Sequence, residues 1–269
     1  MLSNPIPSFI VDAFAVTAFT GNPAAVCILS EEKSARWLQQ VAAEFNLSET
    51  AFIQQSHENQ WKLRWFTPSC EIKLCGHATL ASAHVLLNEL QLPYDNIIFS
   101  TLSGDLITSV HESAIKLDFP RIPCTAIPSA LPEIAALGLG ERASYYAGED
   151  IIVELASEQA VADYQPDFAA IAKINARGLI ITAQSATNNR DFVSRFFAPK
   201  VGVNEDPVTG SAHCSLADLW SVKLGKTSLR AEQLSARRGI LDLIVSEQRV
   251  ALIGQCVTIL QGELKNNLL

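Results

Sequence analysis

Positive charge is scarce in this chain: 20 Lys and Arg stand against 28 Asp and Glu in 269 residues, a net charge of −8, with a pI of about 5.2. Binding to phosphate backbones needs clustered Lys and Arg, so nucleic acid and anionic membranes are excluded as partners. A single small anion is not excluded, because a few aimed backbone N–H groups can hold one carboxylate. The chain lacks a CxxC pair, a Walker loop and a dinucleotide glycine pattern, so neither a cysteine metal site nor a nucleotide fold is expected. Cys70, Cys75, His77 and His84 lack paired ligand spacing, and no metal or organic cofactor is expected. The first basic residue is Lys33, too late for the positive start of a signal peptide. The uncharged stretch from Ala13 to Ser30 contains Thr17, Thr20, Gly21, Asn22 and Pro23, which suit strand–turn–strand better than a lipid-spanning helix.

Six cysteines are present, at 27, 70, 75, 124, 214 and 256. A chain of this length has its own core and needs no disulfide framework, so they read as reduced thiols of a cytoplasmic protein, most of them small apolar fillers. Apolar residues make up 48% of the sequence and charged ones 18%, enough to bury a large core without a disordered tail.

Ser8 to Ala15 and Ala24 to Leu29 read as strands joined through the Gly21-Asn22-Pro23 turn. Ser30-Glu31-Glu32 is expected to open a helix with an apolar stripe of Ala35, Leu38, Val41, Ala42 and Phe45. Thr50 to Gln54 and Trp61 to Phe66 alternate like strands, and Ala78 to Leu90 is a strong helix former. Three strands are expected at Asn96 to Ser100, Leu106 to Val110 and Ala114 to Phe119. Pro120, Pro123 and Pro128 then mark a linker. In the second half, Ile151 to Leu155, Leu179 to Ala183 and Phe192 to Phe197 read as strands, with a helix at Asp167 to Asn175. Ser211 to Leu224 reads as a helix stopped by Gly225. Short strands at Ile240 to Val245, Val250 to Ile253 and Val257 to Leu260 close the chain. Strands outnumber helices without regular alternation, which predicts an α+β fold.

The two halves share a texture. Arg64-Trp65-Phe66-Thr67-Pro68 matches Arg195-Phe196-Phe197-Ala198-Pro199 at an offset of 131. In each copy the seventh residue after the proline is of a reactive type, Cys75 or Asp206, and a polar turn then opens a helix with small residues. A duplication is the expected cause. Each helix start would offer unpaired N–H groups and partial positive charge to a carboxylate, without help from Arg or Lys.

Taken in order, Asp12-Ala13-Phe14, Gly21-Asn22-Pro23, Ser48-Glu49-Thr50-Ala51-Phe52, Cys75-Gly76-His77-Ala78-Thr79 and Glu205-Asp206-Pro207-Val208-Thr209-Gly210-Ser211-Ala212-His213 resemble the PhzF-like family of phenazine-biosynthesis isomerases, which share a fold with diaminopimelate epimerase. The resemblance implies two pseudo-symmetric domains, each a curled, mainly antiparallel sheet around a central helix, with the active site in the cleft between them. The expected division is residues 1–120, joined by a last strand at about 257–269, and residues 121–256. A cofactor-free homodimer acting on a small carboxylate-bearing substrate is expected.

In epimerase relatives two cysteines serve as acid and base. Cys75 matches the first position, and Asp206 stands at the second, which breaks the thiol pair. In PhzF-like isomerases the proton carrier is a Glu, and Glu49 matches it. At the start of an apolar strand its carboxyl is expected to be partly desolvated, as suits acid–base work. A strand-edge or capping carboxylate is the bland alternative. Asp206 reads as a site carboxylate orienting His77 or the substrate, or as an Asx-Pro turn former. His77 reads as a neutral imidazole bonding the substrate or Asp206, or as a helix cap. Gly76, Gly210, Ser211, Asn22 and Cys75 are assigned to substrate binding, the glycines because Gly admits close backbone approach. Cys75, at a helix start, is either a thiol of lowered pKa or a space-filling vestige. His84 and His213 are expected to be structural. The function expected is an isomerase shifting a proton on a carboxylate-bearing metabolite through Glu49. The alternatives are a racemase or epimerase using Cys75 with a carboxylate, and a non-catalytic metabolite-binding or protein-interaction module.

Overall fold

A computed structural model describes residues 5–128, 131–139 and 142–265. By backbone proximity the chain divides into two units, Met1–Asp118 with Ile253–Leu269, and Phe119–Leu252. Residues 266–269 of the expected last strand lie outside the described residues.

In the first unit β1 (Ile6–Ala13) pairs antiparallel with β2 (Asn22–Ile28) and with the chain's last strand, Cys256–Leu264. Strand β3 (Glu49–Gln55) runs parallel to β2 and antiparallel to β4 (Gln60–Phe66). Strand β4 pairs antiparallel with the short β5 (Glu71–Ile72) and parallel with β6 (Asn96–Thr101). Antiparallel β7 (Gly104–His111) and β8 (Ala114–Pro120) complete it. Helix α1 (Ala35–Phe45) begins later than expected. Ser34, not Ser30, is its cap, and its hydroxyl accepts from Trp37 N–H at 3.2 Å. The α1 stripe of Trp37, Leu38, Val41 and Ala42 packs on Ile6, Cys27, Leu29, Phe52 and Phe66. Helix α2 (Gly76–His84) is buried from His77 to His84 and lies against β1, β2 and β3. Its next turn, Val85–Glu89, widens to a π-helix.

The second unit holds β9 (Cys124–Ala126), a one-turn α3 (Pro132–Ile134), β10 (Ser144–Ala147) and β11 (Asp150–Glu154). Helices α4 (Glu158–Asp163) and α5 (Phe168–Ile171) are capped by Ser157 and Asp167. The expected helix from Asp167 to Asn175 is thus shorter, and α4 is an addition. Then come β12 (Leu179–Gln184), β13 (Phe192–Ala198), β14 (Val203–Asp206), α6 (Gly210–Leu224), β15 (Ser228–Gln233), β16 (Gly239–Val245) and β17 (Arg249–Gly254). The last strand is β18. Helix α6 ends at Gly225, whose φ of 64° is the left-handed stop expected of it.

Each unit repeats one pairing scheme. In the first, β2 is parallel to β3, β3 antiparallel to β4, β4 antiparallel to β5, and β4 parallel to β6. In the second, β11, β12, β13, β14 and β15 take these places with the same directions. Arg64 on β4 clamps Glu71 on β5 with two hydrogen bonds of 2.7 and 2.8 Å, and Arg195 on β13 clamps Glu205 on β14 at 2.7 and 3.0 Å. Each guanidinium lies over the aromatic two residues on, Phe66 or Phe197.

The register of the repeat needs one correction. The strand motifs match at an offset of 131, but the helices that follow start at Gly76 and Gly210, an offset of 134. A turn at Pro199–Val201 between β13 and β14 absorbs the three extra residues. The residue that caps α6, as Cys75 caps α2, is therefore Thr209 and not Asp206. Counting residues from the proline missed this because the count assumed loops of equal length.

Candidate active site

Glu49 opens β3 and pairs in register with Ala24. His77 is the second residue of α2 and is buried. Its Nε2 stands 2.9 Å from Glu49 Oε2. The ring N–H does not lie along that line, so Oε2 is buried without an aligned hydrogen-bond donor. On the ring's other side, the Asn22 amide faces Nδ1 at 3.2 Å and Cys75 Sγ lies 3.5 Å away. If the amide nitrogen faces Nδ1, that atom is the acceptor and the ring proton is on Nε2. If the amide is turned over, Nδ1 carries the ring proton and donates to the amide oxygen.

Charge follows from these contacts. Burial works against a His77 cation, but the Cys75 sulfur and the Glu49 carboxylate outweigh it and hold the imidazole pKa well above its usual value. Burial pushes the Cys75 thiol up, more than His77 pulls it down. These directions bear on two of the expectations: the His77 ring is shifted toward its cation, and the Cys75 thiol away from its thiolate. A helix start favours the thiolate by a modest amount, whereas full burial penalises it by more.

Asn22 is placed by Gly21, whose φ of +70° and 2.2 Å approach of a built Cβ to the Ala13 carbonyl admit only glycine. Among the described residues, Glu49, Cys75 and His77 form a group whose donor atoms lie within 4.8 Å of one another, a set able to hold a divalent cation. Spacing rules overlooked it because Glu49 arrives from a separate strand. The 2.9 Å between Glu49 and His77 is shorter than the roughly 3.3 Å separating two ligands of tetrahedral zinc, so the pair as placed is too close for that metal.

In the second unit Asp206 Oδ2, in the turn before α6, accepts from Thr209 Oγ1 at 2.6 Å. Gln233, fully buried, locks this turn: its Oε1 accepts from Thr209 N–H at 3.0 Å and its Nε2 donates to the Asp206 carbonyl at 2.7 Å. Gly210 and Ser211 begin α6, and Ser211 Oγ accepts from Arg177 Nη2 at 3.2 Å. Sequence reasoning missed both Gln233 and Arg177, since no local motif surrounds either. His84 meets Thr258 and Glu89, and His213 is buried with Nδ1 at 2.8 Å from the Thr209 carbonyl. Among the described residues no helix is long and apolar enough to cross a membrane.

Comparison with known proteins places these residues in context. The family model for phenazine biosynthesis-like protein (PhzC-PhzF) matches residues 11–262. An uncharacterized isomerase of Halalkalibacterium halodurans is 45% identical over 267 residues, spanning 98% of this chain and 99% of the relative. A crystal structure of a phenazine biosynthesis protein of the PhzF family from Enterococcus faecalis matches with a TM-score of 0.91 at 44% identity, covering 97% of this chain and 99% of that one. A probable proline racemase from Agrobacterium radiobacter, at a TM-score of 0.66 and 9% identity over 97% of this chain and 93% of that one, shares the fold alone. The fold class is accordingly α+β and epimerase-like.

Proposed function

The chain belongs to the phenazine biosynthesis-like family and is an isomerase, and on that premise we propose that Glu49 carries the proton in its reaction. The observation that supports this most is the Glu49–His77 pair. A carboxylate oxygen is buried, lacks an aligned donor, and stands 2.9 Å from the ring nitrogen Nε2. An oxygen without a hydrogen bond keeps a basic lone pair for a substrate C–H. The neighbouring imidazole, whose pKa is raised, is placed to offer a proton beside it.

The substrate is a small carboxylate-bearing metabolite with an activated carbon. Glu49 takes the proton, the C–H electron pair enters the adjoining π-system, and the protonated Glu49 returns the proton at a second carbon. A double bond moves and no other group is transferred. The racemase alternative needs a second acid across the carbon from Glu49; Cys75 instead belongs to the same group as Glu49, within 4.8 Å, and Thr209, its counterpart at the second helix start, offers only a neutral hydroxyl.

A deuterium-exchange screen of small carboxylates in heavy water, followed by NMR, tests this. Glu49→Gln should retain ligand binding and lose exchange by about a hundredfold or more. Exchange near the wild-type rate in that variant sinks the role. Loss of chirality at one carbon without double-bond movement favours the racemase.

A further inference from the structure

Asn22 stands behind the Glu49–His77 pair, on the far side of the ring. It is fully buried and leaves no surface for a substrate to meet. Its Nδ2 lies 3.2 Å from His77 Nδ1, and Cys75 Sγ lies 3.5 Å from the same atom.

The hairpin loop that delivers Asn22, residues 14–21 between β1 and β2, is held in a strained shape. Phe14 has a φ of 57° and Phe19 a φ of 68°, and Gly21 follows at 70°. A left-handed backbone is unfavourable for phenylalanine and persists only where the surroundings impose it. Those surroundings are present. The Phe14 ring occupies the space where a side chain on Gly254 would lie. The Ala15 N–H donates to the Gln255 carbonyl at 3.0 Å. The buried Asp12 carboxylate accepts from the Phe19 N–H at 2.8 Å. Strain of this kind is retained where a position must be fixed, and the residue fixed at the end of this loop is Asn22.

The neighbours of the two ring nitrogens differ in kind. On the Nε2 side stands Glu49 Oε2, which when ionised can only accept. On the Nδ1 side stand the Asn22 amide nitrogen, a donor, and Cys75, whose burial favours the S–H form, a second donor. A proton on Nε2 and a lone pair on Nδ1 match all three. When the ring takes up a second proton, a half-turn of the amide brings its oxygen to Nδ1 without moving its frame. Neither a carboxylate nor an apolar side chain could serve both states.

We propose that Asn22 is a positioning residue: it meets His77 rather than the substrate, holds the neutral ring in its Nε2–H tautomer, and so keeps the ring proton on the side of Glu49. The inference rests on the reading of Glu49 and His77 as the acid–base pair, but its test reads ring protonation and not turnover. Among the described residues, Glu49 and Cys75 are the titratable groups that bear on the ring.

The full-length protein is isotopically labelled at histidine nitrogen, and the ring signals of His77, identified by their loss in His77→Gln, are followed through a pH titration by long-range proton–nitrogen NMR. Above the His77 transition, wild type should show a protonated Nε2 and an unprotonated Nδ1. Asn22→Leu, similar in size and without a donor, should draw the two nitrogen shifts together as the tautomers mix. Asn22→Asp should place the proton on Nδ1 and raise the transition by about one pH unit or more, because a carboxylate then faces each nitrogen. In wild type the Asn22 side-chain NH2 signals should shift with the same midpoint as the ring, a reading that guards against a variant that fails to fold. Glu49→Gln should leave Nδ1 unprotonated above the transition, so that failure of the proton-carrier role and failure of this role are told apart. A proton on Nδ1 in the neutral wild-type ring overturns the proposal. So does a wild-type tautomer in Asn22→Leu or Asn22→Asp, a move of the proton to Nδ1 in Glu49→Gln, or Asn22 NH2 signals that ignore the transition of the ring. A ring that stays charged up to the pH at which the protein unfolds overturns it as well.

Discussion

His77 Nε2 lies 2.9 Å from Glu49 Oε2, and both atoms are out of water. The imidazole pKa rises because the neighbouring charge outweighs burial. With the folded value above the unfolded one, the pair's contribution to stability is full below about pH 6.5 and is lost as pH rises through the folded value. In Glu49→Gln one of the two groups that raise the value is gone, so the His77 pKa should fall. Titration of the His77 Cε1–H signal measures this. If the value stays high in the variant, the Cys75 sulfur and not Glu49 is the partner.

Thiol reactivity follows burial. Cys70 is exposed, while Cys27, Cys75 and Cys214 are buried. Burial pushes Cys27 and Cys214 to about 12 and raises Cys75 as well. Ellman's reagent should therefore titrate one thiol rapidly in the native protein, and Cys70→Ser should abolish that phase. All six react in denaturant. A second fast thiol that disappears in Cys75→Ser would restore the reactive reading of Cys75.

The duplicated Arg–Glu clamps should differ in energetic weight. Arg195 is buried, holds Glu205, and also donates to the Tyr164 carbonyl at 2.7 Å. Arg195→Met strands Glu205 and should cost about 3–5 kcal/mol. The first-unit pair, Arg64 with Glu71, is 33% and 25% exposed at the two side chains. Arg64→Met should cost about 1 kcal/mol or less. Urea unfolding of both variants measures the contrast, and equal losses would contradict it.

The parts of the fold that were readable are those where pattern is local. The α6 span, its Gly225 stop, and the strands around Arg64 and Arg195 each follow from apolar periodicity or a left-handed glycine. The start of α1 was misplaced because Ser30 and Ser34 are both plausible caps, and only packing of Trp37 selects Ser34. Among site residues, Glu49 and His77 were singled out separately, but their contact depends on α2 packing against β2 and β3. The partner of Ser211 was invisible for the same reason: Arg177 lies 34 residues upstream and has no motif of its own. Burial is the quantity that local pattern conveys least, and it pushes the Cys75 thiol up, in the direction of the space-filling reading.

Acid stability should be governed in part by His213. It is fully buried beneath Phe192, whose ring lies 6.1 Å away, and burial lowers its pKa to about 4, with the Thr209 carbonyl opposing only weakly. A cation there would also sit in the first turn of α6, the positive end of the helix dipole. The folded value is depressed, so the unfolded chain binds the proton first. Stability is full above about pH 6.5 and falls as pH drops toward 4, by about 3 kcal/mol from this residue. His213→Asn keeps a donor for the Thr209 carbonyl and removes the titration. Urea unfolding at a series of pH values should then show a wild-type decline across this window that is flattened in the variant by about that amount. Parallel declines in the two proteins would mean that other groups set the acid limit.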